Sequence, residues 1–282
     1  MAMAIASTTS ARRRRRSRDW QLVTSAAVIA GFVVLAVGGL FLQETANRVD
    51  VSSTLLAPGP EHWFGTDNQG RDVFARVAVG AGISMISAST AVGIGAAVGL
   101  LIALACGLGP RWLDALLMRL CDGVLAFPQL LLALAVSMAL GASLVSATIG
   151  IVITVIPIFA RTLRAEALRS RSEPFIEAAR TIGLTTPHIA VRHVVPYVST
   201  TLTIQVAANF GSAVLTLAAL SFIGVGAQPP TAEWGAMITD GLQNALTGQW
   251  WIGVMPGAAL LALVAALNVL ADSLSQRTTG KR

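Results

Sequence analysis

The chain has 282 residues, 54% of them hydrophobic and 12% charged, with a formal net charge of +6. Ordinary soluble domains carry about a quarter charged residues, so this balance excludes a water-soluble globular domain and predicts an all-α, polytopic membrane protein. A single lysine, Lys281, excludes a G-x-x-x-x-G-K-[ST] phosphate loop, and His62, His188 and His193 form no HExxH or i, i+4 pair, so no catalytic group and no metal site is expected.

Residues 1–21 form a basic arm in which Arg12 to Arg16 and Arg18 supply most of the net charge. A basic arm is able to hold nucleic acid, but beside a membrane span it reads as an anchor attracted to anionic lipid, and no nucleic-acid partner is expected. The first span covers residues 22–42, Leu22 to Leu42. It is longer than a typical signal-peptide core and no small-x-small site follows it, so no cleaved leader is expected.

An outer segment, residues 43–76, comes next. It contains Phe64-Gly-Thr-Asp67-Asn-Gln-Gly70-Arg71-Asp72-Val-Phe74-Ala-Arg76, where Gly65 and Gly70 with Asp67 and Asn68 predict tight turns and Arg71 to Arg76 starts a helix. From composition alone these charges solubilise a wet surface. Residues 77–275 are predicted to form a five-helix core with spans at Val77 to Leu108, Leu113 to Leu140, Leu144 to Leu163, Val198 to Val225 and Trp251 to Leu270, followed by a tail at 276–282. The uncharged run from Gly123 to Ala160 has 38 residues. As helix that is about 57 Å against a hydrocarbon core of about 30 Å, so it is two spans with a hairpin at Gly141-Ala-Ser143.

Within the core, Ala91, Gly95, Gly99, Ala103 and Gly107 place a small residue at every fourth position of the second span. This predicts close helix packing; a substrate groove there has no polar support. Asp122 stands near the inner end of the third span, within reach of Arg119 at i−3, and is either an interfacial pair or an intramembrane acid. Pro128, Pro157 and Pro256 each interrupt a span and predict kinks. Cys106 and Cys121 have no metal or redox spacing and read as buried apolar thiols.

A polar loop at 164–196 separates the fourth and fifth spans. Pro174 suits a first helical position with Ser172 or Glu173 as cap, and Gly183 suits the left-handed residue that stops the helix at Ile182. Phe175, Ala178, Ala179 and Ile182 then form one small apolar face shaped for a groove on a partner. Thr186-Pro187 repeats the cap-then-proline signal, and the second helix is expected to end near Val195 because Pro196 follows. In the fifth span Thr201, Gln205, Asn209, Ser212 and Thr216 line one helix face. That face either lines a pathway or makes helix-to-helix hydrogen bonds; the spacing does not choose between them.

Orientation follows from the basic residues. With the N-terminus cytoplasmic, the inner segments hold 17 (Arg12 to Arg16 and Arg18; Arg111 and Arg119; Arg161, Arg164, Arg169, Arg171, Arg180 and Arg192; Arg277, Lys281 and Arg282) and the outer ones three (Arg48, Arg71 and Arg76). The tryptophans Trp20, Trp63, Trp112, Trp234, Trp250 and Trp251 fall near predicted span ends, where amphipathic rings favour headgroups. Both ends are therefore expected in the cytoplasm, with the chain crossing the membrane several times.

Three ordered motifs carry a family resemblance. Glu177, Ala178, Ala179, Gly183 and Pro196 match the spacing of the EAA motif of ABC importer permeases, with His193 and Val195 replacing the usual Ile and Leu. The Phe64 to Arg76 stretch resembles the FGTD-x-x-GRDVFSR signature of C-type permeases of dipeptide and oligopeptide importers, with Ala75 for Ser and Gly82 in place of a common Arg farther on. Leu220-Ser-Phe222-Ile-Gly224-Val-Gly226-Ala-Gln228-Pro229-Pro230-Thr-Ala-Glu233-Trp234-Gly235 is similar to LSFxGxGxQPPxxEWG in the same family. The resemblance covers about residues 20 to 275; the family's usual Leu-Asp-Pro-Arg ending is missing.

That resemblance implies a six-helix permease with a cytoplasmic coupling loop, moving di- or oligopeptides by alternating access. It implies a second homologous permease, two ABC ATPase subunits that bind ATP and Mg²⁺, and an extracytoplasmic substrate-binding protein. Pro174, Phe175, Glu177, Ala178, Ala179, Gly183 and Pro196 would form the ATPase-coupling contact, and Asp67, Arg71, Asp72, Gln228, Glu233 and Trp234 an outer face that meets the binding protein. Nickel chelates, glutathione and other small solutes are alternative cargoes. An ion-coupled secondary transporter is the alternative of another class, disfavoured because spans two, four, five and six lack acids away from their ends; a non-transporting scaffold is a further one.

Overall fold

The computed structural model describes the backbone of residues 2–279 and the side chains of residues 20–277, so the arginines of the basic arm and Lys281 lie outside the described side chains. Helix α1 (Ala2–Phe41) includes the apolar stretch Trp20–Phe41. Next come a short α2 (Gln43–Asn47), the outer loop, and α3 (Val73–Leu108). At 36 residues, α3 is about 54 Å long, well beyond a hydrocarbon core of about 30 Å. Its start is set by Asp72, whose carboxylate accepts from Ala75 N at 2.8 Å and fills one of the donors a helix N-terminus leaves open.

The most extensive packing joins α3 to α6 (Leu144–Ser170). The small-residue stripe explains it: a Cβ added at Gly95 would stand 2.9 Å from Val155 Cγ1, one at Gly99 2.5 Å from Phe159 Cβ, and one at Gly107 2.5 Å from Ala167 Cβ. Ala91, Gly95, Gly99, Ala103 and Gly107 are all buried, and close backbone approach is the source of helix association where lipid removes the hydrophobic drive. Around this pair α1 packs on α3 and α11 (Trp251–Thr279), while α9 (Val195–Phe222) packs on α3, α6 and α11. Helix α10 (Trp234–Ala245) covers the ends of α9 and α11.

Among the described residues, five helices are long and apolar enough to cross a membrane, and a sixth crossing exists only if a bent pair counts as one. The expected third span, Leu113 to Leu140 with a kink at Pro128, is that pair, and the bend is sharper than a kink: α4 (Arg111–Leu125) and α5 (Gln129–Leu140) meet at 90°. Pro128 lies at the break, where its missing N–H and ring prevent a continuous helix. Charge fixes α4 on its own course. Arg164 of α6 grips Asp114 with two bonds of 2.5 and 2.6 Å, and Arg161 bonds Asp122 at 3.1 Å. Asp122 thus pairs across helices on an exposed face, and Arg119 is not its partner. Pro157 and Pro256 are carried inside α6 and α11, which run unbroken.

Candidate functional site

On one side of the helix bundle, the loop after α6 folds into α7 (Pro174–Thr181) and α8 (Thr186–Ile189). Glu173 is the N-cap residue of α7 but makes no capping bond; its Oε1 accepts from Tyr197 Oη at 3.2 Å, which ties the start of α7 to α9. Gly183 has φ +80, Gly183 N donates to Arg180 O at 3.0 Å and Leu184 N to Ala179 O at 3.1 Å. This double bond around a left-handed glycine is the Schellman stop that the sequence signals.

The apolar face of α7 is split. Ile176 and Ala179, three apart, are buried against the chain itself, whereas Phe175, Ala178 and Ile182 point outward. Ala179 therefore leaves the expected contact face, and Ile176, masked in the sequence by its four apolar neighbours, is the root that seats the helix. Ile182 is 75% exposed, Glu177 is exposed, and Phe175 lies beside Tyr197 and His193 with ring centroids 5.9 and 6.3 Å away. The result is a short helix held on one side and bare on the other.

Pro196 does not end a helix. Residues Ala190–Val194 form a π turn leading straight into α9, and Val195 keeps helical angles of φ −57 and ψ −49. A wider turn leaves room for the proline ring that an α turn would clash with, so the residue before Pro196 remains helical. The cap of α8 is likewise Thr185, one residue earlier than the Thr186-Pro187 signal suggests.

The polar face of α9 is satisfied largely along its own helix. Asn209 Nδ2 donates to Gln205 O at 2.8 Å and to Gln205 Oε1 at 3.0 Å, and Thr216 Oγ1 donates to Ser212 O at 2.8 Å. Thr201, Gln205 and Thr216 are half-buried, Ser212 is exposed and Asn209 is buried. For these pairs bonds within the helix take the place of the helix-to-helix bonds that are one of the two readings of this face.

At the opposite end of α3, charges expected on a wet surface are buried. Asp67 is 5% exposed, Arg71 6% and Arg76 3%. Asp67 Oδ2 accepts from Arg71 Nε at 2.7 Å and faces Arg76 Nε at 3.5 Å, while its Oδ1 accepts the backbone N–H of Gln69 and Arg71. Arg76 also reaches Ala46 O and Pro230 O, both at 3.4 Å. Glu233 is 0% exposed: one oxygen accepts from Ser84 Oγ at 3.1 Å, the other caps α10 through Ala236 N. Trp234 and Trp251 are internal braces and not headgroup anchors, donating from Nε1 to Val77 O and Thr66 O at 3.0 and 3.1 Å.

The outer-face set is corrected accordingly. Asp67, Arg71, Glu233 and Trp234 are buried and knit the outer loop to α3 and α10; Asp72 is half-buried, bonding His62 Nδ1 at 2.8 Å, and Gln228 is exposed. Sequence spacing gives no sign that Arg76 pairs with a carboxylate nine residues before it, because the turn at Gly70 brings them together.

A cavity of about 150 Å³ opens between the Asp67 to Arg71 turn, Pro229, Pro230 and Asp240. Burial pushes the Asp240 carboxyl above the usual carboxylate range, with Arg76 and Arg71 opposing the shift. An acid raised in the folded state binds its proton more tightly there than in the unfolded chain. Its ionised form therefore costs stability in full above the raised pKa, and the cost fades as pH falls from there toward the unfolded value of about 3.9, below which it is absent. Asp240→Asn is expected to raise the thermal midpoint in detergent at pH 7, the gain shrinking toward pH 4; a gain that is constant with pH would exclude this cause.

Residues 95–280 match the family described as "Binding-protein-dependent transport system inner membrane component". The chain is 38% identical over 253 residues to a probable D,D-dipeptide transport system permease protein of Escherichia coli strain K12, covering 89% of this chain and 85% of that one. It is also 38% identical over 263 residues to glutathione transport system permease proteins of Escherichia coli O6:K15:H31 and of Shigella boydii serotype 4, covering 93% of this chain and 86% of each relative. With several helices long and apolar enough to cross a membrane, the chain belongs to this family of inner-membrane ABC importer permeases.

Proposed function

We propose that this chain carries di- or oligopeptides inward as one of two related permeases, driven by two partner ATPases that bind ATP and Mg²⁺ and supplied by an extracytoplasmic binding protein. The observation that carries the reading is α7, rooted by Ile176 and Ala179 and presenting Phe175, Ala178, Ile182 and Glu177 on its bare side. A short helix with an apolar stripe and one charge suits a groove on a partner. The 17 basic residues on that side of the topology and the three on the other support cytoplasmic termini and a cytoplasmic α7. Peptide cargo is supported by the dipeptide and glutathione permeases among the relatives, glutathione being the alternative cargo.

In this reading ATP-driven closure of the ATPases displaces α7, and the helices pass from inward-open to outward-open. The Thr201 to Thr216 face of α9 lines the route, and Pro196 with its π turn marks where the loop meets that helix. Glu177→Lys and Gly183→Asp are each expected to leave membrane insertion normal and to lower uptake by about 30-fold or more, equivalent to about 2 kcal/mol at a docked charge contact. Uptake of radiolabelled dipeptide and of glutathione by cells expressing the whole importer is the measurement. Wild-type uptake by both variants would sink the coupling assignment.

A further inference from the structure

Helix α3 ends in carbonyls that have no partner within the helix. They find one on Arg171, whose Nε donates to Gly107 O and whose Nη2 donates to Gly109 O at 2.9 Å. A planar guanidinium fork suits two adjacent acceptors, and its charge suits the negative end of a helix. Arg171 lies three residues before Pro174, and nothing slack separates it from α7. Arg171 N, Ser172 N and Glu173 N donate to Leu168 O, Arg169 O and Ser170 O at 3.2, 3.3 and 3.1 Å, and Ile176 N donates to Glu173 O at 3.0 Å.

The other end of α3 is fastened as firmly. Arg76 holds Pro230 O, Ser84 holds Glu233 and Val77 O holds the Trp234 indole. Between the two ends, the glycine seam leaves no room for α3 to deform against α6. One stiff helix thus has the α7 segment at its inner end and the outer cap at its other end.

We infer that Arg171 is the positioning residue that passes displacement of α7 to α3, and through α3 to the cap at Pro230, Glu233 and Trp234. The inference rests on the coupling reading of α7 given above. Coupling free energy between two binding sites is reciprocal, so occupancy of the outer face is expected to bias α7 through the same contacts.

The test uses the whole importer in liposomes, with ATP hydrolysis measured with and without its binding protein, purified with whatever ligand it retains. Arg171→Ala is expected to keep the ATPases bound and basal hydrolysis within about two-fold, while stimulation by the binding protein falls about ten-fold. Arg171→Lys, whose ammonium reaches one carbonyl at a time, should lie between. Wild-type stimulation in Arg171→Ala, with stimulation lost in Glu177→Lys, overturns the inference and spares the coupling reading. Wild-type stimulation in both overturns the two together. Loss of the ATPases from Arg171→Ala also overturns it, because Arg171 would then merely hold α7 in place. Should Arg171→Ala fail to assemble at all, Arg171→Lys decides, and wild-type stimulation in it counts against the inference.

Discussion

Asp67→Ala is expected to destabilise the protein by about 3–5 kcal/mol, the cost of removing one partner from a buried ion pair. The loss is large because Asp67 accepts from Arg71 Nε and from the backbone N–H of Gln69 and Arg71 while also pairing with Arg76 Nε at 3.5 Å. Both arginines are more than nine-tenths buried, so losing the carboxylate leaves two buried charges uncompensated. Thermal unfolding of the purified protein in detergent measures this directly. A change inside about 0.5 kcal/mol, the range of ordinary surface substitutions, would show that these charges are solvated after all.

Gly99→Leu tests the α3–α6 seam. Overpacking costs typically about 1–3 kcal/mol, and the upper end or beyond is expected here, because a Cβ at Gly99 meets backbone as well as side chain. Ile156 O would be 2.9 Å away and Ala160 N 3.0 Å, and backbone atoms of a packed helix cannot rotate aside. Gly93→Leu is the matched control on the same helix, since a Cβ there meets nothing within 4 Å. It is expected to be near neutral in folded yield and thermal midpoint. Equal losses from the two variants would mean that glycine matters for insertion of α3 and not for the seam.

Periodic and punctuating features were legible in the sequence. The stripe of Gly95, Gly99 and Gly107 predicts a seam because a four-residue spacing fixes one helix face whatever the neighbour is. Pro174 and Gly183 bracket α7 correctly because local backbone chemistry decides both ends. What failed depends on partners far along the chain. Arg71 and Arg76 look solvated until the loop turn at Gly70 closes them over Asp67. Asp114 and Asp122 of α4 give no hint of Arg164 and Arg161, some forty to fifty residues on, so the third span reads as one helix kinked at Pro128 and not as two helices at 90°. Ile176 was passed over because Phe175, Ala178, Ala179 and Ile182 fit one stripe equally well, and only the position of α9 shows which stripe faces inward.

The π turn at Ala190–Val194 has a consequence for the reading frame of this region. A π turn holds one residue more than an α turn, so it acts as a single-residue insertion absorbed without a loop. Everything before it, including α8 and the stop at Gly183, is therefore rotated by roughly 100° about the helix axis relative to the phase that α9 alone would dictate. Counting helical positions backward from Thr201 through Pro196 into α8 assigns the wrong faces. Shortening the segment by one residue would turn α8 about the axis while leaving α9 intact, so the face that α8 presents is encoded in the length of this segment as much as in its own composition.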